Sequence, residues 1–234
     1  MDKHETLRRQ VVEICQRMYE RGLVSATDGN VSVLLGEDRV LMTPGGVCKG
    51  WLRPSDLIIV DRDGKKLAGE GRTSSETHLH LAAYRLRPDV RAVIHAHPPT
   101  ATAMTLAGVS LADAVIPEVV ITLGCIVTTE YATPASPEGP AVIAEPLTRT
   151  DALLLDRQGS LTVGPDVASA YLKLEKIENA AQLLMTARLM GRVRRLSRDE
   201  LERIRKFHGT RIDEFLESQP AEPPRPAAEW PEVM

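Results

Sequence analysis

Between residues 3 and 208 the apolar residues of this chain switch repeatedly between two spacings. In residues 3–21, Leu7, Val11, Ile14 and Met18 recur every three or four positions, which predicts an amphipathic helix closed by Gly22. "NVSVLL" and "RVLMTP" flank "GED" as a hairpin would, and "DLIIVD" reads as a buried strand. "SSETHLHLAAYRLRP" returns to helical spacing through Leu79, Ala82, Ala83 and Leu86, and "VRAVIHAH" is again strand-like. "TATAMTLAG" predicts a short helix, "CIVTTEYATP" a strand and loop, "EGPAVIAEPL" a helix, and "ALLLDRQGSLTVG" two strands about a turn. A long helix is expected over 166–190, with Ala170, Leu174, Ile177, Ala181, Leu184 and Leu189 on one side. Ser197 and Glu200 have capping-box spacing at the head of another. Strands interleaved with helices predict one α/β domain over 1–217, a sheet with helices on both faces. The tail, 218–234, is rich in Pro, Ala and Glu, and is expected to form a mobile arm without a core.

Charge and cysteine usage narrow the setting. The 234 residues carry 29 Lys+Arg against 32 Asp+Glu, a formal net charge of −3, so no global basic field points to nucleic acid or an anionic membrane. Cys15, Cys48 and Cys125 are scattered and form no C-x-x-C pair, which fits a reducing compartment. "MDKHETLRRQ" lacks the apolar stretch of a signal peptide, and no segment has the length of a membrane span. The expected location is the cytoplasm.

Two H-x-H pairs are candidates for metal chelation. His78 and His80 lie in a helical stretch, where side chains two apart diverge by about 200°. His95 and His97 end a strand, where both rings can face one ion, although a bare H-x-H is also compatible with two ordinary histidines. "TSSETH" has two readings as well. Thr73 and Glu76 have capping-box spacing, while the hydroxyls of Ser74 and Ser75 at a helix N-terminus suit a phosphate, with Glu76 free to be ligand or base. "TDGNVSV" and "TPGGVCKG" add glycine turns whose amides can approach an oxyanion.

In order and approximate spacing, "GNVSV", "TPGG", "SSE", "AAYRLRPDVRAVIHAHPPTATA", "YATP" and "LTVG" resemble the class II aldolase/adducin family over about residues 5–210. The resemblance implies a single-domain α/β/α sandwich with a central mixed, mainly antiparallel sheet. It also implies a homotetramer with active sites at subunit interfaces. The expected activity is metal-dependent retro-aldol cleavage of a small phosphorylated ketose to dihydroxyacetone phosphate and an aldehyde. The alternatives are a sugar-acid phosphate decarboxylase, a pentulose-phosphate 4-epimerase, or an adducin-like assembly protein that has lost the chemistry. The cofactor it implies is a divalent metal, zinc first, with manganese or cobalt as alternatives. By motif position, Glu76, His95 and His97 match metal ligands, Glu76 doubling as proton carrier. Gly29, Asn30, Gly45, Gly46, Ser74 and Ser75 match the phosphate-binding loops. Glu rather than Asp at 76 leans toward carbon–carbon cleavage.

Two departures stand out against that pattern. The family's third metal histidine stands in a turn before "LTVG", where this chain has "DRQG" and therefore Gln158, an amide oxygen in place of an imidazole. The family's two tyrosines correspond here to Ile121 and, in the step "FHG", to His208, a candidate proton shuttle.

Overall fold

The computed structural model describes residues 3–36, 38–113 and 115–209; the predicted tail at 218–234 lies outside them. The eight strands are β1 (Asn30–Leu35), β2 (Arg39–Met42), β3 (Ile58–Asp61), β4 (Lys66–Ala68), β5 (Ala92–Ala96), β6 (Val127–Thr128), β7 (Ala152–Leu155) and β8 (Gly159–Gly164). They form one sheet in the order β4-β3-β2-β1-β5-β8-β7-β6. Every neighbouring pair is antiparallel except β6 and β7, so the sheet is mixed and mainly antiparallel, as expected.

Among the described residues the seven α-helices are α1 (Lys3–Glu20), α2 (Thr77–Leu86), α3 (Pro99–Leu106), α4 (Pro117–Leu123), α5 (Glu138–Ile143), α6 (Val167–Met190) and α7 (Arg198–His208). Strand alternation sends one set of side chains to each face. Val31, Val33, Ala92, Ile94 and Ala96 pack with Val11, Cys15 and Met18 of α1 and with Ala170 and Leu174 of α6. Leu34, Val93, Leu161 and Val163 pack on the opposite face with Leu79, Leu81 and Ala83 of α2 and Ile143 of α5. A third cluster joins α3, α4 and the middle of α6 to β7. These are the two helical layers of an α/β/α sandwich.

Most of the periodicity reading holds, including the Ser197–Glu200 capping box on α7. Two expectations change. The apolar stripe of α6 ends at Leu184, and Leu189 is 83% exposed on the last turn. The capping-box reading of Thr73 and Glu76 is not realised. Glu76 is itself the N-cap residue of α2 and makes no side-chain cap bond. Its carboxylate instead accepts the backbone N–H of Ala135 at 3.0 Å. Ser74 supplies the local closure, its Oγ accepting from the Glu76 N–H and its carbonyl from the Thr77 hydroxyl.

Candidate active site

One end of β5 carries the two histidines. His95 is on the α2 face of the sheet, opposite Asn30 of β1 and Leu161 of β8, and His97 follows just past the strand. The strand-end geometry does what its alternation predicts: the Nε2 atoms of the two rings stand 3.1 Å apart. Two nitrogens on one tetrahedral ion at ~2.0–2.1 Å would be about 3.4 Å apart, so the pair fits two corners of a divalent site. His95 donates from Nδ1 to the Ser160 carbonyl at 3.0 Å, which leaves its Nε2 lone pair facing His97. Asp28 lies 3.8 Å from Nδ1 of His97 on the other side.

Glycines make this approach of loops to β5 feasible. Gly159 has φ 86°, and a Cβ there would overlap the Ala96 carbonyl and stand 2.9 Å from the His97 Cα. Gly29 has φ 71°, and its Cβ would meet Val24 at 2.6 Å and the His95 carbonyl at 2.9 Å. Only a residue without a side chain fits either position.

The electrostatics keep the imidazoles neutral, the state a metal requires. Burial pushes His95 down to about 3, with His97 and Lys49 adding to the effect and the Ser160 bond opposing it. Burial also lowers His97, against the pull of Asp28 and Glu76.

A cleft of about 550 Å³ opens beside this pair. One wall consists of Gly29, Asn30, Gly45, Gly46, Ser74 and Ser75, so the three loops singled out in the sequence do converge. The Gly45 N–H donates to the Arg72 carbonyl at 2.9 Å, tying two of them together. Glu76, His95, His97 and Gln158 line the same cleft. Gln158 donates its amide nitrogen to the Ala132 carbonyl, which leaves the amide oxygen as the atom that could serve an ion. Among the described residues, no three His, Cys, Asp or Glu side chains form a group close enough to hold a metal. The two histidines fit such an ion, and Glu76, Gln158 and Asp28 are among the oxygen donors that line the cleft.

Several lining residues had no sequence signal. Arg72 and Arg157 bring guanidinium groups to the cleft, Arg157 from the β7–β8 turn at φ 62°. Lys49 is 1% exposed and donates to the carbonyls of Thr27 at 3.0 Å and Val47 at 2.8 Å, bracing two glycine loops against each other. Burial lowers its pKa, against the pull of Cys15, Cys48 and Asp28. A lysine after a glycine turn reads as a surface residue in sequence, so only its packing reveals this role.

The remaining candidates lie elsewhere. His208 is on the exposed last turn of α7, outside the cleft of its own chain. Ile121 is half-buried on α4 and does not line the cleft. His78 is exposed while His80 is fully buried, so the helical pair does diverge.

Comparison with known proteins finds relatives that match most of the chain. Residues 9–185 match the model of the Class II Aldolase and Adducin N-terminal domain. The L-fuculose phosphate aldolase of Methanocaldococcus jannaschii is 32% identical over 180 residues, covering 76% of this chain and 95% of that protein. The 3-oxo-tetronate 4-phosphate decarboxylase of Escherichia coli is also 32% identical, over 184 residues, covering 77% and 86%. The crystal structure of Escherichia coli YgbL superposes with a TM-score of 0.79 at 30% identity, covering 86% of this chain and 99% of that one. On its match over most of its length and its shared fold, the chain belongs to the class II aldolase and adducin family.

Proposed function

We propose that this protein is a metal-dependent lyase that breaks a carbon–carbon bond next to the carbonyl of a small phosphorylated substrate. Retro-aldol cleavage of a ketose phosphate, giving dihydroxyacetone phosphate and an aldehyde, is the first reading. The observation that carries it is the convergence of the His95/His97 pair, the Glu76 carboxylate and three loops suited to an oxyanion on one cleft.

His95 and His97 would hold the ion, zinc first and manganese or cobalt otherwise, with Glu76 and the Gln158 amide oxygen as further donors. When bound, a divalent ion supplies a Lewis acid for the substrate carbonyl. The chain's own residues do the rest. Ser74, Ser75 and the amide of Gly46 hold the phosphate and fix the substrate's orientation, on a loop that the Gly45–Arg72 bond steadies. Arg72 adds charge to the same wall. Glu76 carries the proton that the carbonyl fragment's carbon gains once the bond has broken. Asp28 steadies the ring of His97 from its far side.

A specific observation favours a second reading, decarboxylation of a sugar-acid phosphate. Arg157 lines the cleft from the β7–β8 turn, and its guanidinium would suit the carboxylate of a substrate with two anionic ends. The similarity to a 3-oxo-tetronate 4-phosphate decarboxylase supports it too. An assembly protein without chemistry would leave the facing histidines and the anion loops without a purpose.

One assay separates the readings. The protein is incubated with Zn²⁺, Mn²⁺ or Co²⁺ and either ketose 1-phosphates or a 3-oxo acid 4-phosphate. Release of dihydroxyacetone phosphate supports the first reading, and release of CO₂ the second. Metal uptake with neither product, across both panels, would sink the lyase proposal.

A further inference from the structure

Beneath the anion loops lies a line of buried polar side chains that the proposed chemistry does not use. Ser32 and Asn30 are two apart on β1 and share a face; His80 and Tyr84 are four apart on α2 and face them. His80 and Ser32 are fully buried, and Tyr84 is 3% exposed. Nδ1 of His80 is 2.6 Å from Ser32 Oγ, and Ser32 Oγ is 2.8 Å from the Tyr84 hydroxyl. Nε2 of His80 meets the side-chain oxygen of Asn30. The Asn30 amide nitrogen donates to Ser74 Oγ at 3.3 Å.

With the Asn30 amide oxygen turned toward His80, these partners permit one direction of donation. An amide oxygen only accepts, so the His80 proton is on Nε2. Nδ1 must then accept, and Ser32 gives it its only hydrogen. Ser32 Oγ therefore accepts from Tyr84. At the other end, Ser74 Oγ receives both the Asn30 amide and the Glu76 N–H, each at 3.3 Å. Two donors fill its lone pairs and leave its own hydrogen for the cleft that Ser74 lines. The reverse order needs the Asn30 amide turned over, with the His80 proton on Nδ1 and Ser74 donating to Asn30 in place of the cleft. A satisfied buried network of this kind holds one arrangement.

We infer that Tyr84, Ser32, His80 and Asn30 form an ordered hydrogen-bond relay that makes the Ser74 hydroxyl a dedicated donor to an oxyanion, with His80 as its positioning residue. The inference rests on the reading of the Ser74 loop as the anion site. It makes this point of the cleft favour an unprotonated oxygen that accepts, as a phosphate supplies.

The test is titration of inorganic phosphate into metal-free protein, with Co²⁺ titrated separately. His80→Leu is expected to weaken phosphate about tenfold, the scale of one hydrogen bond to a charged group. His80→Gln, which restores an N–H near the Nε2 position, stays within about threefold of wild type on the same scale. Ser32→Ala changes little volume, so it keeps the test open if His80→Leu does not fold; it weakens phosphate several-fold. Co²⁺ affinity is unchanged in all three, which a general structural loss would not allow. Imidazole ¹⁵N spectra show His80 protonated on Nε2. Phosphate affinity at wild-type level in both His80→Leu and Ser32→Ala, a parallel loss of Co²⁺, or an Nδ1–H ring overturns the relay. If wild-type protein binds Co²⁺ but no phosphate, the anion reading falls as well; if it binds phosphate and the variants match it, the relay alone falls.

Discussion

Two fully buried histidines set the pH response of this molecule. Burial pushes His80 and His95 each down to about 3 from an ordinary 6.5. In the unfolded chain both rings take up a proton below about 6.5, and in the folded protein only below about 3. Between those values the unfolded state holds more protons, so stability is full above pH 6.5 and falls on acidification by up to ~1.4 kcal/mol per pH unit for each ring. Urea unfolding of metal-free protein at pH 5 and pH 7 measures this loss, and His80→Gln is expected to remove about half of it. A pH-independent unfolding midpoint across that window would contradict the burial argument. The residue with the largest expected gain is Gln158. Replacing its amide by imidazole, Gln158→His, is expected to raise zinc affinity on the order of tenfold or more. Chelator competition measures it, and an unchanged affinity would mean that the turn does not reach the His95/His97 pair. At this scale the sequence was readable where geometry follows from spacing alone, as in His95-Ala-His97. It was ambiguous for Glu76, because capping box and free carboxylate share one spacing; the distant amide of Ala135 decides between them. Lys49 was hidden, since nothing local marks a lysine as buried.

At the scale of elements, the site depends on how β5 hands the chain to α3. His97 and Pro98 lead straight into that helix, and its first amides are held by its neighbour in the same layer. Glu178 of α6, 6% exposed, accepts the N–H of Thr100 at 3.1 Å and of Ala101 at 2.9 Å. A carboxylate on a helix N-terminus completes unpaired donors and matches the helix dipole. Glu178→Ala is expected to cost about 2–3 kcal/mol by urea unfolding, because two buried amides lose their acceptor. It should also weaken Co²⁺ binding by releasing the segment after His97; a stability loss with intact Co²⁺ affinity would confine Glu178 to the fold. Gly159→Ala strikes the same junction from β8. A left-handed backbone and a Cβ overlapping Ala96 predict a loss of about 3 kcal/mol or more. Most elements were legible because each has a clean period. The exceptions are α4 and β4. "PEVVITL" mixes helical length with β-branched residues, and "KLA" is three exposed residues whose pairing with β3 is a property of the sheet. Strand order was legible only inside the two hairpins, β1–β2 and β7–β8; the rest is set by which surfaces meet rather than by any local signal.

The whole molecule leaves apolar surface that a single chain does not use. Leu172, Leu183 and Met190 fall on one side of α6, at spacings of eleven and seven, and all are exposed, as is Phe207 on α7. The homotetramer implied by the family would give such surface a partner, and it would also change the meaning of His208. In its own chain that residue stands on the exposed last turn of α7, away from the cleft. If the active sites form at subunit interfaces, His208 serves the cleft of a neighbour, and each site then draws on two chains. Subunit complementation tests this. Glu76→Ala and His208→Ala are each expected to be inactive as homo-oligomers in whichever lyase assay the wild type passes. Mixed, unfolded and refolded together, they should regain up to about a quarter of wild-type activity, because random assembly restores only those sites that receive Glu76 from one chain and His208 from the other. Sites that draw both residues from one chain would regain nothing beyond the sum of the two parents. A Leu183→Glu variant supplies the control: if α6 is the contact surface, it lowers the mass seen by ultracentrifugation and abolishes the complementation with it, while metal binding at His95 and His97 persists.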